Sequence, residues 1–266
     1  MTGHNSLLSI IQDRTKTLAY LRVLLPAACL VCERRLRNGI LCFRCAPSLP
    51  DLAEIRDTRC ERCFEVRGRS HQSAHSICPT CITFPLLTDS QRFVWEYRGL
   101  PRDFIKAMKY RPSKHLARLA GELLAYSSPS LFESTAWDVV VPIPSSAKTF
   151  RKRLFHPCTE IGTVVANKLS IPLVQVLVSN PKRLPQAKLH HDARLRNVKT
   201  IFTVTRPKHV QGKRVLVIED VITTGATVSA AANALTAAGA TSVDILALTR
   251  AQAWPRFRQR VWKAFS

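Results

Sequence analysis

Four aliphatic residues, Val215-Leu216-Val217-Ile218, run into two adjacent acids, Glu219 and Asp220, and then, past Val221 and Ile222, into Thr223-Thr224-Gly225-Ala226-Thr227. A β-branched and aliphatic run of this kind reads as a buried strand of a parallel sheet. The Ala-rich stretch up to Ala238 reads as a helix that Gly239 can end. Strand, loop and helix in that order place both acids at the carboxyl edge of the sheet, where open α/β sheets bind ligands. Backbone N–H groups at the helix start form an anion nest, the Thr hydroxyls add donors, and Gly225 lets the backbone approach closely. Carboxylates beside such a nest suit a ligand with both hydroxyls and a phosphate, as in ribose 5-phosphate. A capped strand-loop-helix without a ligand is the plainer reading, and the acid pair at its fixed offset weighs against it.

The cysteines define a second module. Eight of the nine fall in C-x-x-C pairs: Cys29/Cys32, Cys42/Cys45, Cys60/Cys63 and Cys78/Cys81. Two residues between thiolates let one knuckle present both sulfurs to a tetrahedral ion, and two knuckles complete a closed, structural zinc site. Disulfides and redox chemistry are the competing readings, and fourfold repetition of the motif favours metal. Two zinc sites are expected, with sequential pairing (29/32 with 42/45, 60/63 with 78/81) preferred and an interleaved one as the alternative. His71 and His75 are read as loop residues, although either can substitute as a ligand. Cys158 stands apart as a small buried side chain.

Charge separates the classes of partner. The 40 Lys and Arg against 18 Asp and Glu give a net charge of +22. From residue 89 onward 28 basic residues face 11 acidic ones, so +17 of the excess lies there. Such a field attracts polyanions, of which nucleic acid is the commonest. No apolar run is long enough to span a bilayer, and nothing points to export, so a cytoplasmic location is expected. Residues 1–25 read as an amphipathic helix, packed on the protein's own core or laid on a membrane surface. The tail, 254–266, interleaves aromatics with cations, a pattern that either packs Trp254 and Trp262 on the domain or stacks unpaired bases. Arg34, Arg35 and Arg37 are read as a solvated face, with a DNA contact as the alternative.

Helices fit 103–109, 114–126, 157–169 and 227–238; strands fit 138–141, 173–178, 215–218 and 243–249. This alternation indicates an α/β fold with a mostly parallel sheet. The expected organisation is an amphipathic helix at 1–25, a double zinc ribbon at 26–88, an α/β domain at 89–253 and the basic tail.

The segment 215–227 resembles the phosphoribosyl-pyrophosphate (PRPP) signature of type I phosphoribosyltransferases, in its acidic pair, its TTG and its second Thr. Arg183-Leu-Pro-Gln186…Leu189…Arg194-Leu-Arg-Asn197 and Tyr97-Arg98-Gly99…Ile105-Lys-Ala-Met-Lys-Tyr110 resemble stretches of the ComF family, which also includes the GntX-like proteins and carries a cysteine-ribbon region ahead of such a domain. The resemblance implies catalytic roles for Glu219 and Asp220. It implies PRPP binding by Thr223, Thr224, Gly225, Ala226, Thr227, Arg151 and Arg153, and a flap over the site, 180–197, carrying Arg183, Gln186 and Lys188. Mg²⁺ accompanies PRPP if the site is active. Where the family usually reads R-x-R-G-F-N, this chain has Arg151-Lys152-Arg153-Leu154-Phe155-His156, so the phosphate grip falls to the arginines. Members of the family help imported single-stranded DNA enter the cytoplasm. The resemblance therefore implies single-stranded DNA as a partner, with a competence DNA translocase or helicase, at the membrane-peripheral uptake machinery. A phosphoribosyltransferase acting on an unknown acceptor is the alternative.

Overall fold

The computed structural model describes residues 29, 34–35, 42, 59–65, 77–83, 86–110, 114–132, 136–145, 155–180 and 201–251. The expected N-terminal helix, the tail, Arg151, Arg153 and the flap residues Arg183, Gln186 and Lys188 lie outside these residues.

In chain order the elements are α1 (Pro79–Thr83), β1 (Ser90–Glu96), α2 (Gly99–Tyr110), α3 (Lys114–Leu131), β2 (Val139–Pro142), α4 (Pro157–Leu169), β3 (Leu177–Ser179), β4 (Phe202–Val204), β5 (Arg214–Ile222), α5 (Ala226–Ala237) and β6 (Ser242–Arg250). Strands β1-β6-β5-β2 form one sheet, and every pairing in it is parallel. The aliphatic run Val215–Ile218 is buried in it between β2 and β6, as its composition demands. Helices α3 and α4 pack on each other and on the sheet, and α5 packs against β4, β5 and β6.

Local chemistry explains several of these elements. Helix α3 continues through Pro129, which has no N–H to give the Ala125 carbonyl, and the Ser128 hydroxyl donates to that carbonyl instead at 3.0 Å. Gly121 brings α3 against α4: a Cβ there would stand 2.6 Å from Val164 Cβ and 2.8 Å from the Ile161 carbonyl. Helix α5 ends where Gly239 takes φ +91, the left-handed conformation expected of a helix stop.

The strand expected over 173–178 is two pieces. Leu173 bridges Val140 of β2 in parallel, and β3 then pairs antiparallel with β4 in a separate two-stranded sheet. The chain leaves the main sheet between them, so one aliphatic run serves two structures. The residues expected as a flap lie between β3 and β4 in sequence, and the pairing of those two strands is extended by the Asn180 N–H donating to the Ile201 carbonyl at 2.9 Å. Strand β1, unassigned from sequence, is one of the two outer strands. Its polar Gln91 and Arg92 hide the alternation because the Gln91 side chain is held by Thr88 and Arg250 while Arg92 is engaged by the cysteine module.

That module closes the edge of the sheet. The Gln91 N–H donates to the Arg62 carbonyl at 2.8 Å, and Arg92 Nη1 donates to the Glu61 carbonyl at 2.5 Å. Unpaired edge strands invite association with other chains, and the cysteine knuckle covers this one. Phe64, the residue after Cys63, is buried edge-to-face on Phe93 with ring centroids 5.5 Å apart. Its φ of +59 lies in the left-handed region, which costs a non-Gly residue about 1–2 kcal/mol. Burial of a large aromatic ring, flanked by the guanidinium groups of Arg59 and Arg92, offsets that strain.

Candidate functional site

The acids emerge at the carboxyl end of β5, and both are buried. Glu219 Oε1 accepts the Asp220 backbone N–H at 2.9 Å and the Cys158 thiol at 3.4 Å. Burial first, and the neighbouring Asp220 second, push the Glu219 carboxyl up to about 8. Cys158 sits in the first turn of α4, where burial and the same two acids hold its thiol protonated, well above the usual range.

Asp220 has a different partner. Lys109 Nζ, near the end of α2, donates to Asp220 Oδ1 at 2.6 Å, and both side chains are largely shielded from water. Burial works against the lysine's charge, but Asp220, with Glu219 and Cys158 further off, keeps its pKa above the ordinary value. The pair therefore contains one acid held with its counter-ion and one in surroundings that favour the proton. The sequence by itself gives Lys109 no role. No local signal could supply one, because its partner is 111 residues away.

The loop beyond the acids is open. Thr223 and Thr227 are exposed, Gly225 has φ +83, and a Cβ built on Gly225 meets nothing within 4 Å. The Ala226 N–H donates to Thr224 Oγ1 at 3.3 Å, so the loop braces its own turn. The first N–H groups of α5 have no partner within their helix, which leaves a mouth able to take an anion. The mouth and the acids lie on one strand-loop-helix, as the sequence implied. The acids, however, stand behind it with Lys109 rather than presenting bare carboxylates.

The second metal-ligand set is assembled as expected. The sulfurs of Cys60, Cys63, Cys78 and Cys81 all lie within 4.8 Å of one another. The Cys78 N–H donates to Cys60 Sγ at 3.2 Å, the kind of bond that steadies a thiolate. Four buried sulfurs this close suit a tetrahedral zinc ion. The pairing is sequential, 60/63 with 78/81. In the first set the Cys42 N–H donates to Cys29 Sγ at 3.4 Å, while Cys32 and Cys45 lie outside the described residues. Among the described residues the other cluster of donors is Cys158, a thiol, Glu219, whose Oε1 is already engaged, and Asp220, which carries an ammonium.

Among the described residues, no helix is long and apolar enough to cross a membrane. No curated protein matches the chain. Among solved structures it is similar to glutamine PRPP amidotransferase from B. subtilis, at 22% identity and a TM-score of 0.40, over 55% of this chain and 30% of that one. It is also similar to adenine phosphoribosyltransferase from Leishmania tarentolae, at 16% identity and a TM-score of 0.33, over 53% of this chain and 73% of that one. The chain thus spans under a third of the amidotransferase. Residues 113–264 match the model of the phosphoribosyl transferase domain. With more than half of its length in that match, the chain belongs to the phosphoribosyl transferase domain family.

Proposed function

We propose that this chain is a ComF-type protein of natural transformation, which handles imported single-stranded DNA and keeps a site for PRPP or another ribose-phosphate ligand. The observation that carries the ligand site is the open mouth at Gly225, with Glu219 and Asp220 directly behind it on the same strand. The loop amides and the hydroxyls of Thr223, Thr224 and Thr227 hold the 5-phosphate, and Ala226 opens the helix whose N-terminus faces it. Asp220 and Glu219 read the sugar hydroxyls, one as acceptor and the other as donor or acceptor according to its proton. Arg151 and Arg153 meet the pyrophosphate, and the flap residues Arg183, Gln186 and Lys188 close over the ligand. The DNA role rests on the net charge of +22 and on the cysteine module in front of the domain. It places the protein in the cytoplasm, peripheral to the membrane at the uptake machinery, beside a translocase or helicase.

The family match favours a second reading, an enzyme transferring phosphoribosyl from PRPP to an acceptor. Mg²⁺, carried in with PRPP, would neutralise the pyrophosphate; the chain's own residues orient the ribose and exclude water.

The test is a side-by-side titration with PRPP and with single-stranded DNA over a range of salt. Glu219→Gln with Asp220→Asn removes both ionisable groups while keeping the shapes. The double variant should lose PRPP and keep DNA, whose affinity should fall steeply with salt. Absence of PRPP binding by the wild type would refute the ligand site. Release of pyrophosphate with any base in a panel establishes the enzyme.

A further inference from the structure

We propose that Lys109 is the resident cation of the acid pair: its ammonium takes the place a divalent ion would occupy at Asp220, so that a sugar diol engages the pair with no metal there. The inference rests on the sugar-phosphate reading of this site and deepens it.

The geometry carries the argument. Donor atoms of Cys158, Glu219 and Asp220 lie within 4.8 Å of one another, a spacing that a cation could bridge. Two buried carboxylates so close need positive charge between or beside them, or a proton. Lys109 supplies it at 2.6 Å from Asp220. Its position is set by the body of α2, since Phe104, Ile105 and Met108 are all buried in the core. A divalent ion approaching Asp220 would have to expel the ammonium. Beside Asp220 stand Glu219, whose Oε1 already accepts two hydrogen bonds, and the Cys158 thiol, so the carboxylates can share an ion only once the ammonium is gone. With the ammonium in place, the pair cannot offer Mg²⁺ the oxygen ligands it wants. Any Mg²⁺ that enters with pyrophosphate belongs to the ligand's own oxygens. Lys109 is thus a positioning residue. It keeps Asp220 aimed through the 2.6 Å contact, and it ties the sugar end of the site to the helix that follows the ribbon-covered edge strand.

The test uses the full-length, zinc-loaded protein and ribose 5-phosphate as probe, measured by calorimetry in magnesium-free buffer and again with Mg²⁺. Wild-type affinity should change by less than about twofold between the two. Lys109→Met should weaken binding about tenfold to a hundredfold without magnesium. Mg²⁺ should restore part of that loss, and Lys109→Arg should retain most of the affinity. A second arm needs no sugar. By Mn²⁺ paramagnetic resonance, Lys109→Met should gain an ion that Asp220→Asn then removes, while the wild type takes none at the pair. Should Lys109→Met fail to fold, Lys109→Gln replaces it, and the wild-type comparisons stand by themselves. Equal affinity of Lys109→Met and wild type in magnesium-free buffer overturns the proposal, as does wild-type Mn²⁺ binding that Asp220→Asn abolishes. A wild type that ignores ribose 5-phosphate in every buffer counts against the sugar-phosphate reading, and the Mn²⁺ arm then decides the role of Lys109.

Discussion

Arg250, the last residue of β6, is buried and reaches the Glu65 carboxylate just beyond the Cys60–Cys63 knuckle, across 185 residues of sequence. Its Nη1 also donates to Gln91 Oε1 of β1 at 2.8 Å. One guanidinium therefore joins the cysteine module, the edge strand and the end of the strand that neighbours β5. Glu65→Ala should destabilise the protein by about 1–3 kcal/mol, because it strands a buried cation. Arg250→Met should cost less, since Glu65 is partly exposed and can turn to water. Urea denaturation of both variants checks the order; the reverse order would mean that Arg250 acts mainly by packing.

Metal removal should be felt in the sheet. Cys60→Ser deletes one ligand of the Cys60, Cys63, Cys78, Cys81 set and should lose zinc by elemental analysis. The Gln91 amide, which donates to the Arg62 carbonyl, should then exchange with deuterium faster, while amides of β5 change little. Unaltered exchange at Gln91 would show that the knuckle keeps its fold without metal.

Close helix packing makes Gly121 intolerant. Gly121→Ala puts a methyl 2.8 Å from the Ile161 backbone carbonyl, which cannot step aside as a side chain can. A loss of about 1–3 kcal/mol is expected. Val164→Ala in the same chain should recover only part of it, as thermal denaturation of the three variants will show.

The proton on Glu219 gives stability a pH slope. Its carboxyl rises from an ordinary 4.5 to about 8 on folding, so the folded state binds the proton more tightly than the unfolded one. That stabilisation is complete below the unfolded value, declines as pH rises from 4.5 and is gone above about 8. The wild type should lose on the order of a few kcal/mol between pH 5 and pH 9 from this group. Glu219→Gln, neutral throughout, should flatten the slope of urea midpoint against pH.

At the mouth, Gly225→Ala should cost about 1 kcal/mol of stability for its left-handed backbone and weaken ribose 5-phosphate about tenfold. Its methyl enters open space, so a protein that unfolds outright would contradict the geometry.

Much of the fold and of the candidate site is legible in the sequence. The run 215–218, the acids, the Thr-Gly loop and the Ala-rich helix are contiguous, so period and composition sufficed to order them, and the helix expected at 157–169 matches α4 residue for residue. Paired cysteines likewise declare a metal-ligand set through spacing alone, because two thiolates three residues apart can meet one ion whatever surrounds them. Tertiary structure decided what distance along the chain conceals. Only the fold brings Lys109 to Asp220, Cys158 to Glu219 and Arg250 to Glu65, and only it shows that Gln91 and Arg92 interrupt an apolar pattern because Arg250 holds the one and the knuckle the other. Local periodicity records which face of an element is buried. It carries no record of which buried charge will meet which, since that depends on the packing of elements that share no neighbouring residues.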